Sequence, residues 1–449
     1  MSLNIVILCN TEVIEMETGQ EIRDGEVVGK RSQNVNHFPI LMVMSTAYIA
    51  VGTNVQGFKA MLPMVSADFQ IGSAEAGLYT TFFFLSATIL AIFSGRVVDR
   101  LGSKMGLVMG TAIIGSLMII HSVTNIFVLL LALAFFTGIG FSIITPSINK
   151  GVMELVSPNK RAVSLGITQA GGGIGGILGA LLLPFLGELF GWRNAILVSA
   201  GVALLMSGIL FKFYNPGQDG TKSQQEENTS DSEESSKSDS SFKEDLAKLV
   251  TNKVLLTVCL IGLTFGFTIS NITTHFPLFL DGDLGYSGFI AGASLAVFQT
   301  GGIIGKPSWG IINDRFLRSN RRLGLFILGL LVSLLMLVLA IFFDEPGIPI
   351  PVIMIFTFIL GVTSLGIPGL FFTTVGDVVD KKLMGTATGL ALIFIRTGVV
   401  IGPPFIGWLA DITGSYQISW ITLATVIFIL SLSFFILSSN YKENLYGST

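Results

Sequence analysis

The side chains that could do chemistry in this chain are a few cations within long apolar stretches. Arg396 lies about twelve residues into one stretch, and Lys306 and Lys59 lie within two others. At 1.5 Å per helical residue, Arg396 lies ~18 Å along its helix. From this depth a long side chain cannot easily reach water. Charged groups so placed are costly and usually face a cavity, so these three cations are the main candidates for a binding site.

Each cation also has a structural interpretation, which the sequence leaves open. Arg396 could pair with backbone carbonyl groups or polar neighbours, and Lys306 could extend toward the aqueous interface. Lys59 lies nearer the outer end of its stretch. Lys150 lies at the end of another stretch and is more typical of an interface anchor than of a binding site.

The interiors of the apolar stretches contain no aspartate or glutamate. The nearest carboxylates fall at stretch ends or between stretches: Asp68, Glu75, Glu154, Glu188, Asp281, Asp377 and Asp411. A cavity with lysine and arginine but no carboxylate has a positive potential, which attracts a carboxylate or phosphate group. Arginine suits bidentate binding of such a group, and lysine adds a compact charge. The pattern predicts a small organic anion as ligand and argues against a cationic one.

Neutral polar side chains could complete this site. The candidates are Asn54, Gln56, Gln169, Asn271, Thr274, His275 and Gln299. Three of them shortly precede Pro277, which we expect to break its helix and expose backbone carbonyl groups. His275 could also carry a proton in coupled transport, although an ordinary packing role for it remains open.

The chain lacks the usual patterns of catalysis and metal binding. It has two cysteines, Cys9 and Cys259, and three histidines, without metal-ligand spacing, paired acids or a nucleophile beside a base. The glycine-rich residues 171–176 follow no strand, so we do not interpret them as a nucleotide-binding loop. We therefore expect neither an enzyme nor a bound metal or cofactor, and no nucleic acid as partner.

Composition places the chain in the membrane. Hydrophobic residues make up 51% of it and charged residues 12%. Twelve apolar stretches are long enough to cross a hydrocarbon core of ~30 Å as helix. We number them TM1 to TM12: 38–66, 75–95, 106–122, 126–149, 162–186, 193–213, 253–280, 287–312, 323–343, 349–373, 384–409 and 416–438. The predicted fold class is an all-α membrane protein.

Positive charges are distributed unevenly between the loops. The loops on the side of the termini contain twelve cations: Arg96, Arg100, Lys104, Lys150, Lys160, Arg161, Arg315, Arg318, Arg321, Arg322, Lys381 and Lys382. The opposite loops contain only Arg193. Because cytoplasmic loops are enriched in lysine and arginine, this distribution predicts a multi-pass protein of the cell membrane with both termini cytoplasmic.

Polar segments divide the chain into two halves. Residues 214–252 are serine-rich and acidic, a composition that cannot bury enough apolar surface to become ordered. We interpret them as a disordered cytoplasmic linker, with a phosphorylation-controlled switch as the alternative. The predicted domains are a cytoplasmic polar tail at 1–37, a six-helix bundle at 38–213 (the N half), the linker, a second bundle at 253–438 (the C half) and a cytoplasmic tail at 439–449.

The two halves have related motifs at similar spacing. A G-x-x-x-D-R-x-G-x-K motif after TM2 consists of Gly95, Asp99, Arg100, Gly102 and Lys104, and a shorter copy after TM8 contains Gly310, Asp314 and Arg315. The separation of Pro63 from Pro277 is almost the same as that of the two motif copies. A pair of glycines in TM5 matches a pair in TM11 at a slightly larger separation. We also expect the glycines of TM5 and TM8 to form a tight interface between the halves.

This motif between TM2 and TM3, its copy and the twelve spans resemble the major facilitator superfamily. The resemblance covers almost the whole chain after Phe38 and implies two pseudo-symmetric six-helix bundles around a central site lined by TM1, TM4, TM7 and TM10. It also implies that Gly95 allows close helix packing and that Asp99 meets the N-terminal end of TM11, so that the motif and its copy form a conformational latch. Alternatively, the basic residues of the motif only set the topology.

Shorter segments resemble organic-anion porters within that superfamily. Residues 306–310 resemble the R-P-x-x-G segment of monocarboxylate porters, with lysine in place of arginine, but Gly302 replaces the acid that those porters have one turn earlier. Residues 146–150, 160–162, 166–169 and 191–193 resemble anion:cation symporters of the hexuronate and sugar-phosphate kind. The lysine of TM8 and the arginine of TM11 resemble the pair of oxalate/formate antiporters with the residue types exchanged.

The sequence thus predicts a secondary active transporter of a small organic anion, working by alternating access with or without proton coupling. Its partners would be this substrate and membrane lipids, and we expect a monomer. A permease for a neutral sugar or hydrophobic drug, and a non-transporting receptor of the same fold, remain alternatives.

Overall fold

The computed structural model describes residues 38–214, 247–343, 345–380 and 383–438. The predicted tails at 1–37 and 439–449, most of the predicted linker, Lys381 and Lys382 lie outside these residues. Residues 247–251, which we assigned to the disordered linker, form a helical turn. Leu249 in this turn is buried, so the ordered C half begins before 253.

The described chain forms helices at all twelve predicted spans. In the N half, TM1 comprises Phe38–Ala60 and Leu62–Phe69, and TM2 begins with Ser73–Ile89. The next helix, Ala91–Val123, contains the end of TM2 and all of TM3. TM4 is Phe127–Leu155, TM5 is Pro158–Phe190 and TM6 is Trp192–Phe213.

The C half repeats this layout. TM7 is Lys253–Gly282, TM8 is Gly288–Phe316 and TM9 is Arg321–Phe342. TM10 comprises Ile350–Ser364 and Ile367–Asp377, TM11 is Met384–Thr413 and TM12 is Tyr416–Leu437. Ten helices in the described ranges, which correspond to TM3 to TM12, are long and apolar enough to span a membrane. The two-part TM1 and TM2 complete the twelve, which confirms the predicted all-α membrane fold.

Helix breaks do not occur where we expected one. TM7 is continuous through Pro277, so the prediction that this proline breaks the helix is wrong. TM1 and TM10 do break, and each resumes with a proline in its first turn, Pro63 and Pro368. A proline is tolerated there because the first turn leaves its N–H groups without partners within the helix.

The motif after TM2 is helical rather than a loop. The helix continues through Asp99 and Arg100 and reverses direction at Gly102, whose φ is +83°. A residue with a Cβ is strained at this φ, which explains the glycine. The second glycine of the motif is therefore the turn between TM2 and TM3.

Glycines bring helices together mainly within each half, which corrects our expectation that those of TM5 and TM8 form the interface between halves. A Cβ on Gly175 of TM5 would lie 2.2 Å from the carbonyl oxygen of Ile49 in TM1. In the C half, a Cβ on Gly398 of TM11 would lie 2.3 Å from the carbonyl oxygen of Leu263 in TM7. Gly305 of TM8 likewise faces TM10, so small residues permit backbone contact inside both bundles.

The halves meet along two helix pairs, TM2 with TM11 and TM5 with TM8. A Cβ on Gly77 of TM2 would lie 2.5 Å from the carbonyl oxygen of Pro403, and one on Gly407 of TM11 would lie 2.3 Å from that of Ser73. A Cβ on Gly292 of TM8 would lie 2.8 Å from the carbonyl oxygen of Ala180. These contacts lie toward one end of the bundles, which we call the far side; it contains residues 70–72, 191 and 414–415. The opposite end, where the described chain stops at 214, is the linker side.

Two neighbouring glycines of TM5 allow the packing of TM1 on TM5 to be tested. We expect Gly175→Ala to lower the free energy of unfolding by about 1–3 kcal/mol, because its methyl group would overlap the carbonyl of Ile49. Gly173→Ala makes the same change in helix propensity, but its Cβ meets nothing within 4 Å, so it should be neutral or slightly stabilising. Thermal unfolding of the two purified variants measures the difference; equal melting temperatures would contradict the packing.

Candidate functional site

Lys59 is buried where TM1 of the N half contacts TM7 of the C half. Only 4% of the residue is exposed. Its Nζ donates to Thr273 Oγ1 of TM7 at 3.4 Å and lies 4.8 Å from the centre of the Phe84 ring of TM2. The hydroxyl and the ring face interact favourably with a cation, but neither neutralises it. The structure therefore places this predicted site residue at the interface between halves. None of the ion pairs in the described chain includes Lys59, so no acid neutralises its charge there.

Arg396 also reaches across the interface. From the middle of TM11 it donates from Nη1 to the carbonyl oxygen of Ala87 in TM2 at 2.8 Å. Ala87 lies one turn before the break in TM2 at Leu90, so the guanidinium occupies a point where the partner helix is interrupted. The side chain is partly exposed. This contact is the carbonyl pairing that we left open, and it uses one of the five N–H donors of the guanidinium.

Two glutamines meet on the other helix pair. Gln56 of TM1 and Gln299 of TM8 both lie against Gly176 of TM5, each with an atom 3.3 Å from the position of a Cβ there. Both side chains are partly exposed. Lys306 lies two turns from Gln299 toward the linker side and is exposed. These three predicted residues thus share the TM5–TM8 face.

TM7 closes the site from the C half. Thr274 Oγ1 lies 2.9 Å from Thr80 Oγ1 of TM2 in a buried hydrogen bond between the halves. Asn271 is fully buried; its Nδ2 donates to the Phe267 carbonyl, and its Oδ1 has no hydrogen-bond partner in the described structure. An unpaired buried amide oxygen is costly, so Asn271 is a polar group that a bound molecule could satisfy.

Three predicted residues are placed elsewhere. Asn54 faces TM6, where its Nδ2 donates to the Ser199 carbonyl and its Oδ1 accepts from Ser199 Oγ. His275 is fully buried between helices of the C half: Nε2 lies 2.7 Å from the Pro403 carbonyl oxygen and Nδ1 lies 3.0 Å from Tyr416 Oη. A neutral imidazole that donates from Nε2 and accepts at Nδ1 satisfies both contacts. Gln169 donates to Asn149 Oδ1 of TM4 at 3.3 Å.

The spans contain acids only near their ends. Within the described helices, with Gly102 taken as the end of TM2, every aspartate and glutamate lies in a first or last turn, because the helices extend beyond the apolar stretches that we predicted. The three ion pairs in this part of the chain also lie at helix ends: Lys150 with Asp99, Arg193 with Asp68 and Arg321 with Asp377. Lys59, Arg396 and Lys306 take part in none of them. Their charges therefore give the interface a positive potential.

The predicted latch residues lie on the linker side, where the helices of the two halves separate. Asp99 is 75% exposed and lies 3.6 Å from Lys150 Nζ of its own half. A Cβ on Gly95 of TM2, or on Gly385 and Gly389 of TM11, would meet no atom within 4 Å. The contact of Asp99 with the start of TM11 is thus not made in this conformation, and the latch remains a prediction.

The remaining latch residues have mostly local contacts. Lys104 Nζ lies 5.4 Å from the centre of the Phe211 ring of TM6. Asp314 accepts from Ser319 Oγ at 3.4 Å, while Arg100 and Arg315 are exposed. Nearby, Ser103 Oγ lies 2.7 Å from Tyr214 Oη, and burial raises the pKa of this tyrosine. The phenol therefore stays neutral at the end of TM6.

Sequence reasoning missed several residues of the site. Phe84, Thr80 and Ala87 of TM2 provide the ring, hydroxyl and carbonyl that contact Lys59, Thr274 and Arg396. A threonine or an alanine in an apolar span gives no signal of its own, since such residues usually pack or bond to their own helix. The family resemblance implies a site lined by TM1, TM4, TM7 and TM10, whereas TM2, TM5, TM8 and TM11 provide most of the contacts between halves.

Comparisons with known proteins agree with the fold. The sequence profile of the Major Facilitator Superfamily matches residues 44–397 and 296–445. A cis,cis-muconate transport protein of Acinetobacter baylyi is 26% identical over 387 residues, which cover 85% of this chain and 90% of that protein. A hexuronate transporter of Bacillus subtilis is 21% identical over 382 residues, which cover 84% and 89%.

A solved structure has the same architecture. The crystal structure of a bacterial homolog of the human lysosomal transporter Spinster, in an inward-facing and occupied conformation, superposes with a TM-score of 0.75 at 14% identity. The match covers 92% of this chain and 99% of that one. At this identity the likeness shows the fold, while the profile match extends over most of the sequence. The chain is therefore a multi-pass membrane transporter, not an enzyme, and belongs to the Major Facilitator Superfamily.

Proposed function

We propose that this transporter moves a small organic anion, a carboxylate or a similar compound, by alternating access. The observation that carries the proposal is the pair of interfacial cations, Lys59 from the N half and Arg396 from the C half, without an acid partner among the described residues. A cation in a medium of low dielectric is stabilised by an anion brought beside it. A carboxylate substrate would supply that charge.

The geometry suggests how the anion binds. Arg396 uses one N–H on the Ala87 carbonyl, so its remaining donors can form a bidentate pair with a carboxylate. Lys59 is held by one hydroxyl contact and a ring face, both weaker than an ion pair. Because the two cations come from different halves, an anion that reaches both would draw the halves together. Gln56, Gln299 and Asn271 could then bind the uncharged groups of the substrate, and Lys306 could attract the anion from the linker side.

The names of the relatives support an anionic substrate. Cis,cis-muconate and hexuronates are carboxylates at neutral pH, although their ring and chain structures differ. A neutral sugar or a hydrophobic drug would leave the charges of Lys59 and Arg396 unpaired in the loaded protein, at a cost that an anion avoids. We therefore favour a carboxylate over a neutral substrate.

The charge distribution supports a direction of opening. The exposed cations Arg100, Lys160, Arg315 and Arg318 lie on the linker side, where the halves separate, and the far side is closed by contacts between them. Cytoplasmic loops are enriched in such residues. We therefore propose that the protein lies in the plasma membrane with its linker side facing the cytoplasm. In this interpretation the present conformation is open to the inside.

Substitution of Arg396 tests the anion clamp. In proteoliposomes preloaded with unlabelled glucuronate or cis,cis-muconate, counterflow of the same labelled anion should be lost in Arg396→Gln, which removes the charge but keeps a polar side chain. We expect Arg396→Lys to keep the charge but lose the bidentate geometry, which lowers the affinity roughly 100-fold. Counterflow also separates a transporter from a receptor, which would bind the anion without exchanging it.

A matched control for this experiment is Arg322→Gln. Arg322 also donates to a backbone carbonyl, that of Phe435, but within the C half and away from the interface. We expect this variant to exchange the anion as the native protein does. Wild-type exchange in Arg396→Gln, or an equal loss in both variants, would refute the assigned role of Arg396.

Lys59→Met tests the second cation through stability. Methionine fills a similar volume without a charge, so the variant should unfold at a higher temperature than the native protein in the absence of substrate, by about 1–3 kcal/mol in free energy. The same variant should no longer be stabilised by the anion. Lys150→Met, which removes bonds to the carbonyls of Val98 and Asp99, should instead lower the melting temperature. A less stable Lys59→Met that still responds to the anion would disprove the role.

A further inference from the structure

The far side contains two carboxylates that join the halves through helix ends. Asp411, in the last turn of TM11, accepts hydrogen bonds from the backbone N–H groups of Ser73 at 2.7 Å and Ala74 at 2.8 Å. Ser73 and Ala74 are the first two residues of TM2, which belongs to the other half. The first N–H groups of a helix have no partners within it and lie at the positive end of its dipole. Asp411 of the C half thus caps a helix of the N half.

Glu188 makes the same kind of contact in the opposite direction. It lies in the last turn of TM5, and its Oε1 accepts from the backbone N–H of Phe289 at 2.8 Å. Phe289 is the second residue of TM8, so an acid of the N half caps a helix of the C half. Both carboxylates are exposed to the far side.

The two caps correspond to each other under the internal repeat. Ala74 and Phe289, the capped residues, have the same separation along the chain as the motif residues Asp99 and Asp314. Glu188 and Asp411 are separated along the chain by nearly as many residues as the matched glycines of TM5 and TM11. The two separations differ by about one helical turn. The structure therefore has the same acid-to-helix contact twice, once on each helix pair that joins the halves.

Two other far-side acids, Asp68 and Asp283, have hydrogen bonds within their own half. Asp68 pairs with Arg193 and accepts from Trp192 Nε1 at 3.2 Å, both in the N half. Asp283 accepts from the backbone N–H of Tyr416 at 3.0 Å, within the C half. Only contacts that cross between the halves must break when the far side opens. The conformational effect of these acids should therefore differ from that of Glu188 and Asp411.

We propose that Glu188 and Asp411 are positioning residues of the transport cycle, which together hold the far side closed by capping TM8 and TM2 across the interface. Opening the far side pulls each carboxylate away from a helix start and leaves N–H groups to water, so the caps favour the conformation that is open to the linker side. This role rests on alternating access, as proposed above, but not on the identity of the substrate.

Distances between spin labels test this proposal without substrate. In a chain with Cys9→Ser and Cys259→Ala, labels at Ile126→Cys and Glu345→Cys report on far-side loops of the two halves. A second pair, at Lys160→Cys and Arg318→Cys, reports on the linker side. All four labelled positions are exposed. Pulsed electron resonance then measures both distances in the full-length purified protein.

Removal of either charge should shift the conformational equilibrium. Asp411→Asn loses the charge and one of two acceptor oxygens, and Glu188→Gln loses the charge alone. We expect each to raise the far-side-open population roughly fivefold, the change produced by loss of one helix cap, and the double variant to raise it further. The far-side distance should lengthen while the linker-side distance shortens, a reciprocal change that simple loss of stability does not produce.

Glu75→Gln is the matched control. Glu75 Oε2 accepts from the backbone N–H of Gly72 at the same end of TM2, but it belongs to the same half as that helix. This variant should leave both distance distributions as they are in the native protein. Unchanged distributions in the Glu188/Asp411 double variant, or an equal shift in Glu75→Gln, would overturn the proposal. Because Glu188→Gln and Asp411→Asn alter separate helix pairs, each tests it independently.

Discussion

The charge of Lys59 has no acidic partner in the described part of the chain, and its surroundings tolerate that charge rather than neutralise it. A threonine hydroxyl and the face of Phe84 are the contacts of its ammonium group. Arg396 is in a similar position, with a backbone carbonyl as its partner across the interface. The two cations therefore lie within the spans without a carboxylate beside them. The acids of the described helices lie at helix ends, where they can pair with cations or cap the starts of other helices.

Closure of the far side depends on a second constraint, the close approach of backbones. Gly77 and Gly407 let TM2 and TM11 touch, and Gly292 does the same for TM5 and TM8. That approach places each helix start within reach of an acid at the end of its partner, as for Asp411 and Glu188. The contact predicted for Asp99 with the start of TM11 is the same interaction at the linker side, where it is not formed in this conformation. The predicted latch would thus place an acid at a helix start at the linker side, as Asp411 does at the far side.

Apolar length, loop charge and repeat offsets were sufficient to predict the twelve spans and two halves, because these properties depend on composition along the chain. Site residues were predicted less completely. Arg396 and Lys59 carried a clear signal, since a buried cation is unusual. Asn54 and His275 did not join them, because a polar residue in a span can equally bond to its own half, as these two do with Ser199 and Tyr416. The contributions of Thr80 and Ala87 require knowledge of which helices touch. Pro277 was misjudged because a proline signals a possible break, while neighbouring helices decide whether it occurs.

The central claim is that the interface between halves is built for a negative charge. The most direct measurement compares anions with matched neutral compounds in thermal unfolding of the full-length purified protein: glucuronate against glucuronamide, and cis,cis-muconate against its dimethyl ester. A ligand at 100 times its dissociation constant stabilises the protein by about 2.7 kcal/mol. We expect a concentration-dependent rise in melting temperature with at least one carboxylate and none with its neutral counterpart. Equal stabilisation by both members of a pair, or a response to neutral compounds alone, would contradict the claim.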